Sequence, residues 1–452
     1  MNKVFYVLLS VTNLIMGQNI VWFKSLNFAV PNSGTVVSDV TSLVSDANDN
    51  VYYHANFGTS YGMNYRYSAT SQTSPSSAET WRDTIHNTDG SAAYCMTADG
   101  RSLYCAGGSY LEKYSFSGTL IWRKVGQSGP SNTIGANDIC YHGGYLYTVL
   151  FNQLIKWDTL GNQVWIKLVN QSGNLQIETA NPGYFYVKGG DGNSSSPVNI
   201  YKYDSTGAIQ WTRFVPGYCS YTGNISSDYS GDCYITGDYL NSATFGNTSL
   251  NSNSRPKGYY LARINSSGNW VWARNTQNYS NNVIYSRPFG NYLYTGEADS
   301  SGNALLSIYS KQGGFLKTIA IPSTTNPFII RAIRENSNEV YIGGYQFGQF
   351  TKAFIARISD TTQSASIGSH NLNDDLFTIY PNPTSDFITI KLSAHSTSPI
   401  EVCLINAAGD IILREEFESG ARTVNLPLRT KGVYFVVIIA QGRKYTKKVI
   451  VE

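Results

Sequence analysis

Apolar and polar residues alternate with period two in short runs along most of the chain, and the runs come in groups of four. Around Trp211, "NLQIETA" and "YFYVKGG" read as two strands joined at Asn181-Pro-Gly183, and "VNIYKYD" and "IQWTRFV" as a hairpin turning at Ser205-Thr-Gly207. That hairpin recurs. "YSFSGTLIW", "WDTLGNQVW", "YDSTGAIQW" and "INSSGNWVW" each place a Trp four residues after a Gly: Gly118 to Trp122, Gly161 to Trp165, Gly207 to Trp211 and Gly268 to Trp272. Trp81 closes a longer version, and the unit at Gly313 carries Lys317 where the others carry Trp.

A repeat of about 40 to 45 residues with four short strands predicts propeller blades, because one such sheet cannot bury its faces until its neighbours stack on it. Hairpins ending at 81, 122, 165, 211, 272 and 317 account for six blades. Two half-units remain: "NIVWFKSL", with Trp22, has no partner before it, and "KAFIARIS" (Lys352 to Ser359) has none after it. Pairing them antiparallel predicts a seventh blade made from both ends, a clasp that leaves no half-sheet exposed. The fold class is therefore all-β: a seven-bladed propeller over residues 18–359, closed by the clasp. Glycine supplies the positive-φ turn position, and the Trp is expected to pack on the next blade.

The repeats resemble two families. Asp-x-x-Gly-x-x-x-Trp, with Asp158 and Asp204, resembles the tryptophan-docking motif of pyrroloquinoline-quinone-type propeller repeats. "CYITGDYLNSATFGNTSLNSNSRPKGYYLARINSSGNWVWARN" and "YIGGYQFGQFTKAFIARIS" are more similar to the seven-bladed repeats of secreted bacterial proteins. The quinone enzymes use eight such blades with calcium ligands and catalytic acids that do not map onto this chain, so no cofactor is expected. A sialidase Asp box also fails, since the Asp-to-Gly and Gly-to-Trp spacings here are each one residue longer.

Composition agrees with an all-β chain: 34 Tyr and 41 Gly in 452 residues, with only 14% charged. The net charge of +3 is dispersed, without the basic footprint of a nucleic-acid binder. Met1 to Gly17 pairs Lys3 with the apolar run "VFYVLLSVTNLIM" and predicts a secretory signal peptide cleaved between Gly17 and Gln18. No other segment has the length of a membrane span.

Candidate chemistry is sparse. The six cysteines have no zinc-like spacing, so no metal site is expected. Cys95 and Cys105 flank Gly100 symmetrically, and a hairpin there would bring them near each other; a disulfide and two buried thiols are both open readings. His54, His86, His142, His370 and His395 form no catalytic or metal motif. Polar residues at the entries to the innermost strands, Asp39, Asp138, Asn224 and Asn282, are candidates for a channel-mouth binding site, against the plainer reading that they satisfy backbone groups in turns. Insertions at Ser68 to Glu79 and Asn241 to Lys257 are candidate recognition loops. Asp158-Thr-Leu and Asp204-Ser-Thr resemble O-glycosylation sites of exported Bacteroidota proteins.

Residues 360–375 are short and polar, as a linker should be. From 376 to 452, "FITIKL", "IEVCLIN", "DIILREEF", "RTVNLP", "GVYFVVII" and "YTKKVIV" predict a small immunoglobulin-like β-sandwich. Tyr380-Pro381-Asn382-Pro383, Gly409, Gly432 with Tyr434, and the terminal Lys447-Lys448 resemble the landmarks of the type IX secretion system sorting domain of Bacteroidota. The resemblance implies engagement with the outer-membrane export machinery and a surface or secreted destination. The cargo then reads as a non-enzymatic binding or scaffold module for an unknown glycan or protein. The alternative is a polysaccharide-acting hydrolase or lyase at the channel mouth.

Overall fold

The computed structural model describes residues 20–359 and 377–452, apart from 29–35, 47–49, 60–63, 74–77, 87–92, 127–133, 171–174, 181–182, 191–197, 216, 220–222, 229, 253–256, 277–284, 322–325, 337–338, 349, 393–399, 407–410, 418–422, 428–430 and 441–442. The chain divides into two units, Met1–Asp360 and Thr361–Glu452. Gly17, Gln18, Asn282 and Gly409 lie outside the described residues.

Among the described residues of the first unit, strands pair antiparallel into seven sheets. The innermost strands are Val36–Ser45, Ala93–Ala98, Asp138–His142, Gln176–Thr179, Ile225–Ser227, Tyr285–Phe289 and Phe328–Asn336. Each lies beside the next in this order, and the last returns to the first, so the sheets stand around a circle as a β-propeller. In the seventh sheet Ile20–Ser25 is the outermost strand, antiparallel to Lys352–Ser359 with Ser25 opposite Phe354 and Ile20 opposite Ile358. Phe23 stacks on Phe354 at 5.2 Å and meets Phe328 edge-on at 5.0 Å. The pairing therefore buries apolar surface as well as satisfying two strand edges.

The space between sheets is filled largely by tyrosine. The largest fully buried side chains are all Tyr, among them Tyr52, Tyr104, Tyr147, Tyr186, Tyr234 and Tyr309. Their rings supply apolar area and their hydroxyls need partners. Tyr52 donates to Asp46 (2.8 Å), Tyr104 to Asp99 (2.7 Å) and Tyr309 to Glu297 (2.8 Å). The richness in Tyr thus reflects the inter-sheet core.

The second unit has a three-stranded sheet (Phe377–Tyr380, Phe387–Leu392, Thr423–Pro427) and a four-stranded one (Ile411–Phe417, Ile400–Asn406, Gly432–Ala440, Arg443–Val451). Ile388, Ile390, Val424 and Leu426 of the first share one core with Val402, Leu404, Val436, Ile438, Val449 and Val451 of the second, which is sandwich packing.

Of the two readings open for Cys95 and Cys105, the disulfide is corrected and the buried thiols stand. Cys95 and Cys105 are both free. A bulge after Ala93 places Cys95 opposite Ala106 and Cys105 opposite Met96, so the two thiols leave opposite faces of one sheet. Cys95 packs with Ile139 and Leu146 on one side, and Cys105 with Val44 and Tyr52 on the other. Burial raises both thiol pKa values well above the usual range, which disfavours oxidation. Alkylation of the denatured, unreduced protein is expected to label both cysteines; a Cys95–Cys105 disulfide peptide would contradict this arrangement.

Candidate functional site

The polar residues at the innermost strands are drawn into bonds between and within sheets. Asp138 accepts from Ile177 N–H of the next sheet (2.9 Å) and from Ile139 N–H (2.9 Å), so both carboxylate oxygens are engaged. Asn224 does the same job two sheets on: its Oδ1 accepts from Ser286 N–H (2.8 Å) and its Nδ2 donates to the Ser286 carbonyl (2.9 Å). Asp39 is 4% exposed and lies 3.3 Å from Arg331 Nε, across the junction where the circle closes. Arg287 reaches past the intervening sheet to Glu178 (2.9 Å). Asp39, Asp138 and Asn224 thus each tie one sheet to the next, at three separate junctions of the circle.

Electrostatics follow from this burial. Burial pushes the Asp138 carboxyl up to about 7, against the two backbone donors, with the Glu178 charge adding to the rise. Burial likewise pushes Asp39 up to about 6, with Arg331 opposing it. His54 is fully buried; its Nδ1 lies 2.9 Å from Thr70 Oγ1, and burial brings its pKa down to about 3. His142 Nε2 accepts from Gly183 N–H of the next sheet (2.7 Å). Among the described residues, no group of three or more His, Cys, Asp or Glu side chains is placed to hold a metal ion.

A second set of junction contacts explains the Gly-Trp repeat. Each Trp covers the turn glycine of the following sheet: Trp81 lies on Gly118, Trp122 on Gly161, Trp165 on Gly207, Trp211 on Gly268 and Trp272 on Gly313. Indole N–H groups donate to carbonyls of the same turns, Trp81 to Phe116 (3.0 Å), Trp122 to Thr159 (3.2 Å), Trp211 to Ser266 (3.2 Å) and Trp272 to Lys311 (2.9 Å). The preceding Asp organises the turn, Asp158 Oδ1 accepting from Leu160 and Asn162 N–H at 2.9 and 2.8 Å.

Cations complete the clamp, and pattern reading by Trp and Gly alone overlooked them. Lys113, Lys156, Lys202 and Arg263 donate to the turn carbonyls of Thr159, Ser205, Ser266 and Lys311. Two residues after the Trp, Lys167 donates to Gly207 O (2.9 Å), and Arg213 and Arg274 donate to Gly268 O and Gly313 O. The signal was present: a cation five residues before the Gly and another two after the Trp, from Lys113 to Arg274.

The candidate loops are partly regular structure. Asn241 to Phe245 continues the strand Cys233–Phe245 and turns back as Thr248–Asn251, with Phe245 buried against Trp270 at 5.1 Å. Ser68 to Thr73 belongs to the third strand of the first sheet, where Thr73 pairs with Glu79. In the second unit, Tyr380, Pro381, Asn382 and Pro383 form an exposed turn, Tyr434 is buried, and Lys447 and Lys448 pair with Val436 and Phe435 in the last strand pair.

Residues 378–452 match the family model described as "Secretion system C-terminal sorting domain". They are a type IX sorting domain, and the chain is a cargo directed to the cell surface or to release. No curated protein sequence matches the chain. Among solved structures, the WD40 domain of Neurospora crassa Pan2 aligns with a TM-score of 0.48 at 9% identity, over 70% of this chain and 88% of that one. PorZ, a surface component of the type IX secretion system of Porphyromonas gingivalis, aligns at 0.37 and 12%, over 91% and 75%. The extracellular domain of the hybrid two-component system BT4673 of B. thetaiotaomicron aligns at 0.42 and 13%, over 93% and 57%. At these scores the likenesses carry no argument about activity. Among the described residues no helix is long and apolar enough to cross a membrane.

Proposed function

We propose that residues 18–359 form a non-enzymatic binding or scaffold module for a glycan or a protein, carried outside the cell by the sorting domain after a signal peptide at 1–17 delivers the chain to the periplasm. The observation that carries the reading is the use made of the innermost carboxylates. Glu178 has one oxygen on Arg287 and the other on Thr179, and Asp138 has both oxygens on backbone N–H groups. A general acid or nucleophile needs an oxygen free to reach substrate; these are committed to the fold.

The polysaccharide-hydrolase or lyase reading retains one supporting observation: Asp138 has a raised pKa, with Glu178 acting on it through space. The two readings separate in one experiment, in which the purified full chain is applied to a glycan array and incubated with the bound polysaccharides. Retention of a glycan without cleavage supports the binding module. Release of shortened products, lost in Asp138→Asn or Glu178→Gln, would establish the enzyme instead. Failure to bind any sugar would leave a protein partner as the form of the reading to pursue.

Export is tested separately. A chain lacking residues 376–452 is expected to accumulate in the periplasm, read by fractionation and immunoblot. Wild-type surface display of that truncated chain would overturn the sorting route.

A further inference from the structure

A partner of a folded domain can touch only exposed atoms. In the sorting domain Tyr434, Val449 and Val451 are core residues. The turn from Tyr380 to Phe387 is different: Pro381, Asn382 and Pro383 are exposed, and two aromatic rings stand at its ends, Tyr380 48% and Phe387 46% exposed. Neither ring belongs to the sandwich core. Two large exposed rings at the ends of a turn whose two prolines fix φ make a low-entropy apolar contact surface of the kind that anchors protein interfaces.

The end of the chain holds this turn in place. Ile450 N–H donates to Asn382 Oδ1 (2.9 Å), Thr384 N–H donates to Ile450 O (2.9 Å), and Glu452 N–H donates to Thr384 O (2.8 Å). Thr384 forms a parallel bridge with Val451, and its buried hydroxyl donates to Phe387 O (2.5 Å). Residues nearly seventy positions apart in sequence thus make one structural unit, whose exposed part is the turn and whose holding part is the last strand.

We propose that the Tyr380–Phe387 turn is the surface on which a protein of the export machinery docks, and that residues 450–452 act as positioning residues that hold it. This rests on the sorting-domain reading above. The partner it fits is a protein with an apolar cleft for the two rings and a hydrogen-bond acceptor for the Tyr380 hydroxyl. The side chain of Glu452 is not read, since its contribution is the backbone N–H.

The test uses the full chain, expressed in cells carrying the type IX system, with surface and periplasmic fractions quantified. Tyr380→Ala combined with Phe387→Ala removes both rings and is expected to lower the exported fraction by about tenfold or more. Its sorting domain should keep its thermal transition and its hydrogen-exchange protection. Phe435→Ala is the control, an aromatic of similar exposure (37%) outside the turn, and is expected to export normally. Deleting residues 450–452 is expected to impair export and to release amide protection at Thr384, whereas Glu452→Ala does neither. Normal export of the double variant, or equal impairment by Phe435→Ala, would overturn the docking surface. Impairment by Glu452→Ala with Thr384 still protected would overturn the positioning role. If removal of 376–452 blocks export while the turn variant does not, this inference fails and the sorting reading stands.

Discussion

Gly118→Ala is expected to destabilise the propeller by about 2–4 kcal/mol, well beyond what a turn glycine alone should cost. A Cβ at 118 would stand 2.4 Å from Trp81 Cδ2, so the indole must leave its seat and give up its bond to the Phe116 carbonyl. Gly100 provides the internal control. It has nearly the same φ (+83° against +86°), yet nothing lies within 4 Å of its Cβ position. Gly100→Ala therefore carries only the left-handed strain, about 1 kcal/mol. Trp81→Ala should cost about 3 kcal/mol. In that background Gly118→Ala should fall to the Gly100 level, because the clash has been removed. All 8 Trp lie in the first unit, so tryptophan fluorescence during urea unfolding reports on the propeller alone. Equal costs at Gly118 and Gly100, or full additivity with Trp81→Ala, would rule out the docking explanation.

His54→Leu and Asp138→Asn are expected to tilt the stability–pH curve in opposite directions. His54 has a folded pKa of about 3 against an ordinary 6.5, so the unfolded chain binds the extra proton between those values. Its neutral burial is cost-free above pH 6.5 and increasingly destabilising as pH falls through the folded value. Asp138 is the reverse: its folded pKa of about 7 exceeds the ordinary 3.8, so stability present below pH 4 is lost as pH rises through 7. Between pH 4.5 and 8, removing His54 should favour the acid end by about 3 kcal/mol. Asp138→Asn should favour the alkaline end by a similar amount, and Asn224 already fills the corresponding junction with an amide. Urea midpoints at the two pH values measure both tilts. Parallel displacement of either curve, without a change of slope, would contradict the burial that shifts these groups.

The repeat could be read without coordinates because a single physical requirement recurs at fixed spacing. At five junctions a positive-φ turn glycine is covered by the ring of the preceding sheet, so Gly161 and Trp165, or Gly207 and Trp211, keep the same interval. The cations at Lys156 and Lys167 follow the same spacing, but a Lys in a strand has the same sequence signature whether its amine meets solvent or a turn carbonyl. The candidate site fared differently. Asp138 and Asn224 sit at the strand entries where the sequence puts them; their partners, Ile177 and Ser286, are groups of the next sheet, which no residue pattern marks.

Local periodicity thus settled the all-β class and the four-strand unit, since each depends on neighbours along the chain, and the sorting landmarks followed from their resemblance to a known family. The faces of Cys95 and Cys105 turned on a one-residue bulge, invisible to spacing. The roles of Asp39, Glu178 and Asn382 turned on groups 68 residues away or more: Arg331, Arg287 and Ile450. Those pairings were decided only when the sheets closed into a circle and the sandwich brought its last strand to its first turn, because desolvation forces each buried polar group to take whichever partner the packing places beside it.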